Sequence, residues 1–516
     1  MKPKLQFESF RAGFLSTTAI NVASQVFGVV LFAALAYFFG AGRQTDVYVY
    51  ALSCQMITTG LAGALNAAVV IPESMRLRAQ VSPAAAMEFL NVFTLLYASL
   101  ALLLAFFIWI EPVRTFLALS RFDASVLTPH REMLRWLALL LVLDLLCSHL
   151  GDILASVRLF TLTALAGLLT KLCSLAGLLL FHRQLGVGSI VAGSVVAYVF
   201  QLVFLLWLLR RRAAWHFRPR WTTVSGSCRK NLAYALSGQG VSSAAALVAA
   251  YFISGFDSGT LTALNFAQRI VSAPQMLIMN QFGLMAGLKL NELQSRRDLD
   301  GVNATFLRST RLLLLAMTTL AAVLILNAEL VVALLFRRGA FDSAAAAQST
   351  VLLRLLALLL PLFSINTLVA RLFMSAQKTR QAFWFQVSMG LLHLALTVLG
   401  IRALGVAGYP IATCVMYMCA LSLLLPLMRR VFPKVAYLTV MRSALAIWAT
   451  IGPLAGIMWL TGLLSAPAWR SGVMLALSAI FGLAVLGLNQ RFRWSTDAID
   501  LVRSTRSRLF PRTETA

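Results

Sequence analysis

Leu261–Leu290 reads LTALNFAQRIVSAPQMLIMNQFGLMAGLKL, and its reading decides the fold. At about 1.5 Å per residue the stretch is long enough to cross a bilayer as a helix. Yet Asn265, Gln268, Arg269, Ser272 and Gln275 recur at helical spacing and form one polar stripe. Arg269 lies about a third of the way in, and Pro274 follows it, where neighbouring groups can satisfy a kink. A guanidinium at that depth costs at least about 2–3 kcal/mol unless it meets water or a counter-charge. The expectation is a helix lining a hydrated cavity able to hold an anion. The competing reading is a structural arginine that snorkels or pairs with a carboxylate.

The rest of the chain supports a membrane setting. It has 516 residues, 60% hydrophobic and only 12% charged. Its mean hydropathy is +0.82. That balance excludes a soluble globular domain. Five of the six cysteines fall in apolar runs, with neither disulfide nor metal spacing. The opening MKPKLQFESFRAG leads into an apolar run without a small-residue cleavage site, which predicts a retained first span rather than a signal peptide.

Hydropathy predicts fourteen spans: 12–39, 46–71, 87–110, 130–157, 159–181, 188–209, 231–254, 260–289, 306–328, 345–370, 381–401, 405–428, 440–463 and 467–489. With a cytoplasmic amino terminus, the inner segments carry 31 Lys and Arg and the outer ones nine. This bias is the positive-inside pattern and predicts both termini in the cytoplasm. It also accounts for the net charge of +26, since the bases face anionic membrane lipids and no nucleic-acid partner is needed.

The chain repeats itself. Leu185–Arg211 aligns without gaps on Leu404–Arg430, with 11 of 27 positions identical, including the LGV start, Tyr198/Tyr417 and the closing Arg-Arg. Ala36-Tyr37-Phe38 matches Ala250-Tyr251-Phe252 at a similar offset. The expected fold is therefore an all-α polytopic membrane protein of about fourteen transmembrane helices, with two pseudo-twofold six-helix lobes plus two C-terminal helices. The expected organisation is an N-terminal lobe (1–211), a basic amphipathic linker (212–230) with Trp215, Phe217 and Trp221 lying on the inner leaflet, a C-terminal lobe (231–430), a terminal pair (431–489) and a basic cytoplasmic tail (490–516).

Candidate substrate-binding groups follow from the polar stripes. They are Arg269, Asn265, Gln268 and Ser272 on span eight, Asn21 and Gln25 on span one, Gln55 on span two and Gln239 on span seven. Amides can bond sugar hydroxyls or phosphate oxygens, although they also serve as interhelical glue. Candidate gating or ion-coupling groups are Asp46, Asp144, Lys171 and Arg354. Asp144 is either a proton or sodium site or the partner of Lys171. His149 and His393 read as hydrogen-bonded packing. Intramembrane bases outnumber carboxylates, which predicts an anionic substrate such as a pyrophosphate, gripped by the planar fork of arginine. No catalytic, nucleotide-binding or metal motif is evident, so no cofactor is expected. Energy would come from Na+, H+ or the membrane potential.

Four segments carry a family resemblance: FFGAGRQTD (Phe38–Asp46), LNFAQRIVSAP (Leu264–Pro274), LLFRRGAFD (Leu334–Asp342) and SAQKTRQA (Ser375–Ala382). In this order, across fourteen spans, the chain resembles the MurJ/MviN lipid II flippases of the multidrug/oligosaccharidyl-lipid/polysaccharide exporter superfamily. The resemblance implies outward movement of a polyprenyl-pyrophosphate-linked saccharide across the bacterial inner membrane by alternating access. It also implies a groove for the lipid tail at the last two spans, and functional roles for Asp46 and Arg269. The chain departs from the family pattern on spans one and two. Gln25, Leu31, Phe32 and Thr59 stand where the family places charged groups. That leaves lipid II and another surface-glycan precursor both open as cargo. Two further readings are a drug or cation antiporter of the same superfamily and a membrane scaffold recruiting glycan-synthesis enzymes.

Overall fold

The computed structural model describes residues 10–156, 159–213, 215–220, 226–463, 469–492 and 494–498. Among the described residues the regular structure is entirely helical. The helices are α1 (Phe10–Phe39), α2 (Arg43–Leu65), α3 (Ile71–Gln80), α4 (Pro83–Ile110), α5 (Pro112–Leu119), α6 (Ala124–Leu127), α7 (Arg131–Ser156), α8 (Phe160–Leu185), α9 (Gly188–Ala213) and α10 (Gly226–Ile253). They continue with α11 (Thr260–Pro274), α12 (Asn280–Ser295), α13 (Leu299–Leu326), α14 (Ala328–Leu335), α15 (Ser343–Ala357), α16 (Leu359–Ser375), α17 (Thr379–Leu404), α18 (Gly408–Val431), α19 (Tyr437–Leu463) and α20 (Arg470–Phe492).

Among the described residues, twelve helical stretches are long and apolar enough to cross a membrane. One of them, 380–431, is 52 residues long and contains two expected spans, parted by a 3-10 turn at Gly405–Ala407. The stretch 260–295 is helical throughout but is not among the twelve. Its amides and Arg269 make it the least typical membrane helix of the chain. Over its described residues, each of the fourteen expected spans thus lies largely on helix.

Local chemistry sets several of these elements. Ser82 caps α4 by accepting the Ala85 N–H at 3.0 Å, with Pro83 at the first helical position. Asp298 caps α13 through the Gly301 N–H at 2.8 Å. Helices α8 and α9 approach so closely that a Cβ on Gly193 would meet the Cys173 carbonyl at 2.6 Å. The Ser174 and Ser194 hydroxyls bond across this contact at 2.7 Å.

The duplication shows in the backbone. Gly186 and Gly405, equivalent in the repeat, have φ of +56° and +63°. Helix α2 runs into α3 through a π-helical turn at Asn66–Val70, and α11 into α12 through another at Gln275–Met279. Each half therefore interrupts a span with the same irregularity.

The chain divides into two compact units. The first comprises residues 1–266, 335–346 and 383–406. Its core gathers Val70, Leu77, Phe89, Leu90, Leu150, Ile153, Leu205 and Leu209, and α10 packs along α2 within it. The second comprises 267–334, 347–382 and 407–516, built on the packing of α13 against α16 and α19. Besides spans one to six, the first unit takes in span seven, whose α10 packs along α2, and residues 335–346 and 383–406.

The linker departs from expectation at Trp215. Residues 215–220 are not helical, and Trp215 is buried in the first unit's core. Its indole N–H donates to Asn91 Oδ1 at 2.6 Å, and Asn91 Nδ2 donates to the His216 carbonyl at 2.7 Å. An indole that finds a buried amide has more to gain inside than at a lipid surface. Phe217 stays about half exposed. Trp221 and most of the basic tail lie outside the described residues.

Candidate functional site

Within the first unit, three short segments converge around Asp46. The Asp46 side chain sits in the first turn of α2 and is 2% exposed. Its Oδ2 accepts the Gly259 N–H at 2.7 Å. Its Oδ1 accepts the Thr262 N–H at 2.8 Å and the Thr262 hydroxyl at 2.7 Å. Asp46 therefore caps α11 from another helix, satisfying N–H groups that a helix start leaves unpaired. Arg43 Nη1 donates to the Phe256 carbonyl at 2.9 Å, and the Ala340 N–H to the Tyr37 carbonyl at 2.9 Å.

Close approach explains the glycines here. Gly259 has φ +88°, and a Cβ on it would meet the Ala41 carbonyl oxygen at 2.6 Å. Gly339 has φ +65°, and a Cβ there would run into the Tyr37 carbonyl. Below this layer Phe266 stacks on Phe336, centroids 4.6 Å apart, and touches Phe341 and Phe32. FFGAGRQTD, the residues before LNFAQRIVSAP, and LLFRRGAFD thus form one latch joining the start of α2 to the start of α11. The arrangement ties the start of α2 to the start of α11.

A second constellation lies deeper in the same unit. Gln55 Nε2 donates to Asp144 Oδ2 at 2.8 Å, and Tyr198 bonds the same carboxylate. The charge of Lys171 also acts on Asp144, beside the two neutral partners Gln55 and Tyr198. Gln55 is 5% exposed and its Oε1 has no partner. Farther along α7, Asn66 Nδ2 donates to Asp152 Oδ2 at 2.7 Å, and Asn66 Oδ1 lies 3.1 Å from both Tyr97 Oη and His149 Nδ1. His149 Nε2 lies 3.1 Å from Thr94 Oγ1. The sequence reading of His149 as hydrogen-bonded packing names no partners for it. The signal was the spacing of Asp144, His149 and Asp152, which places Asp144 and Asp152 on one helical face and His149 one turn before Asp152.

The remaining candidates sit as follows. Asn21 is exposed, while Gln25 and Gln239 are half-buried. On α11, Asn265, Gln268, Arg269 and Ser272 are all half-buried. Asn265 Oδ1 is buried without a partner. The Ser272 hydroxyl is spent on the Arg269 carbonyl at 2.9 Å, which makes it a poor ligand group. Arg354, in the second unit, has a buried Nε without a partner. Arg135 also sits inside an apolar run. It pairs with Glu132 at 2.7 Å and bonds the Trp109 carbonyl, so its charge is answered locally. Near the end of α12, the hydrogen bond and charge of Lys289, with Arg296, hold the exposed Glu292 carboxyl below the ordinary range.

The second unit contains an apolar cavity of about 490 Å³. It is lined by α13, α16, α18 and α19, with Trp448 and Trp459 on α19 and Thr318 on α13 among its walls. Its glycines, Gly452 and Gly456, have no atom within 4 Å of where a Cβ would stand, so the space is open on that side.

Comparison with known proteins fits this framework. Residues 35–480 match the family model for lipid II flippase MurJ. A probable lipid II flippase MurJ of Bdellovibrio bacteriovorus is 24% identical over 312 residues, 58% of this chain. The match spans 59% of that relative's length. The solved structure of lipid II flippase MurJ in an inward closed conformation superposes with a TM-score of 0.73 at 16% identity, covering 92% of this chain and 98% of that one. An inward-facing MATE family multidrug transporter of the MOP superfamily gives 0.63 at 13% identity, covering 84% and 96%. These likenesses establish the fold. Since the family model spans most of its length, the chain belongs to the lipid II flippase MurJ family.

Proposed function

We propose that this protein is a flippase that carries a polyprenyl-pyrophosphate-linked saccharide, lipid II or another surface-glycan precursor, from the inner to the outer leaflet of the bacterial cytoplasmic membrane. It works by alternating access without nucleotide hydrolysis, with both termini cytoplasmic. Family membership supports the class of cargo. The single observation that carries the mechanism is the Asp46 latch, which ties α2 to the start of α11 through three hydrogen bonds and must break for the outer side to open.

Arg269 is assigned to the pyrophosphate, because a guanidinium offers a planar donor fork to phosphate oxygens. Asn265 offers a buried free acceptor on the same helix. Gln268 lies beside it. Asn21, Gln25, Gln55 and Gln239 supply amide groups for the saccharide, and Ser272 is a minor contributor for the reason given above. The apolar cavity beside α19 suits part of the polyprenyl tail, whose isoprene units need contact but no hydrogen bonds. Basic inner segments hold the protein against anionic lipid headgroups, where glycan-synthesis enzymes would meet it. An ion gradient or the membrane potential supplies the energy.

Complementation of a strain depleted of its own lipid II flippase tests the reading. The wild type restores growth, and Arg269→Ala and Asp46→Ala, inserted at equal levels, do not. Failure of a well-expressed wild type moves the cargo to another glycan. Full rescue by both variants removes the assigned roles.

A further inference from the structure

A small cavity of about 300 Å³ lies against the first turns of α4. Its walls are Ala84, Met87 and Glu88 on α4, and His216 and Arg218 in the segment after α9. That segment is set in place from the next turn of α4. There Asn91 Oδ1 accepts the Trp215 indole N–H at 2.6 Å, and Asn91 Nδ2 donates to the His216 carbonyl at 2.7 Å. One buried amide therefore fixes the backbone that brings His216 and Arg218 to the same cavity as Glu88.

The cavity carries both signs of charge. Glu88 is half-buried and Arg218 is exposed. Among the described residues no ion pair engages either group, so carboxylate and guanidinium line one cavity without closing on each other. A wholly basic pocket at the end of a span would suit an anionic head group. Here the guanidinium fits a phosphate, and the carboxylate fits a cation beside that phosphate.

The depth is that of a lipid head group. Glu88 stands five residues beyond Pro83, the first residue of α4, or about 8 Å along the helix axis. The same face of α4 continues as an open apolar lane. Leu95 and Leu102, seven and fourteen residues beyond Glu88, are 46% and 59% exposed. An acyl chain attached to a head group in the cavity has this lane to lie on.

We propose that this cavity binds an ethanolamine phospholipid, with its phosphate on Arg218, its primary ammonium on Glu88 and one chain along Leu95 and Leu102. A primary ammonium gives the Glu88 carboxylate N–H donors. A choline trimethylammonium has none, and a glycerol head group brings no positive charge. The bound lipid braces α4 against the segment leaving α9, beside the Trp215 anchor. The site recognises the surrounding membrane rather than the cargo, and it stands whichever glycan is carried.

Native mass spectrometry of the full-length protein tests this without any glycolipid, so its failure leaves the flippase reading untouched. The protein is offered equimolar dioleoyl phosphatidylethanolamine, phosphatidylcholine and phosphatidylglycerol in detergent. The wild type is expected to retain the ethanolamine lipid about threefold or more over either of the others, the scale of one partly exposed charge-assisted bond. Glu88→Gln keeps the shape of the cavity and is expected to lose the preference over phosphatidylcholine. Ala84→Trp fills the cavity while leaving both charges in place, and it is expected to lose the preference as well. Ala84→Trp decides the matter if Glu88→Gln does not fold. A wild type without the preference, or either folded variant that keeps it, overturns the assignment.

Discussion

Asp46 and Thr262 are joined twice, by the Thr262 N–H at 2.8 Å and by its hydroxyl at 2.7 Å, both to the same carboxylate oxygen. The second oxygen takes the Gly259 N–H. One fully buried side chain thus closes the start of α11 against the start of α2. Asp46→Ala leaves three buried donors unpaired, each worth about 1–3 kcal/mol. The variant is expected to insert normally, to melt at lower temperature, and to expose the 254–262 segment to water-soluble thiol reagents when a cysteine is placed at Ser254. Equal reactivity in wild type and variant would contradict the latch.

Gly259 answers to two constraints at once, a φ of +88° and the Ala41 carbonyl. Gly259→Ala is expected to lower stability by about 1–3 kcal/mol, seen as a fall in melting temperature by intrinsic fluorescence. Gly60→Ala, in α2 with nothing within 4 Å of the added carbon, is the control. It is expected to be neutral or to stabilise by a few tenths of a kcal/mol up to about 1 kcal/mol, as alanine does in a helix interior.

Asn91 holds the chain after α9 in place through Trp215 and His216. Asn91→Leu strands the Trp215 indole N–H in the core, a cost of about 1–3 kcal/mol. Trypsin cleavage after Arg220 is expected to quicken about tenfold, read by electrophoresis of the intact and nicked chain. Unchanged cleavage would mean that the segment is held by something else.

The apolar cavity of the second unit makes a prediction about lipid. Gly456→Leu places a branched side chain into open space without displacing a neighbour. Stability of the empty protein is expected to hold or rise slightly, while the thermal stabilisation given by added polyprenyl phosphate falls. Undiminished stabilisation by the lipid would remove the tail from this cavity.

Much of this was legible in the sequence, and the reasons differ by element. The spans follow from apolar length, and the duplication from the match between 185–211 and 404–430, which Gly186 and Gly405 confirm by their shared positive φ. The convergence of FFGAGRQTD with LLFRRGAFD was not legible, because spacing along a chain does not say which turns meet. Asp46 was marked by resemblance, but two of its three bonds come from backbone N–H groups, which leave no trace in side-chain pattern. His149 was read as packing because its partners, Asn66 and Thr94, lie on two other helices. Trp215 looked amphipathic beside its basic neighbours, and only the position of Asn91 on α4 shows why it turns inward.

The most direct measurement is translocation by the purified protein in proteoliposomes loaded with a fluorescent polyprenyl-pyrophosphate saccharide, read as loss of glycolipid accessible on one leaflet. The account predicts transfer by the wild type and its loss in Asp46→Ala and Arg269→Ala of equal fold. A folded wild type that moves no such lipid, or an Asp46→Ala variant that moves it at the wild-type rate, would contradict it.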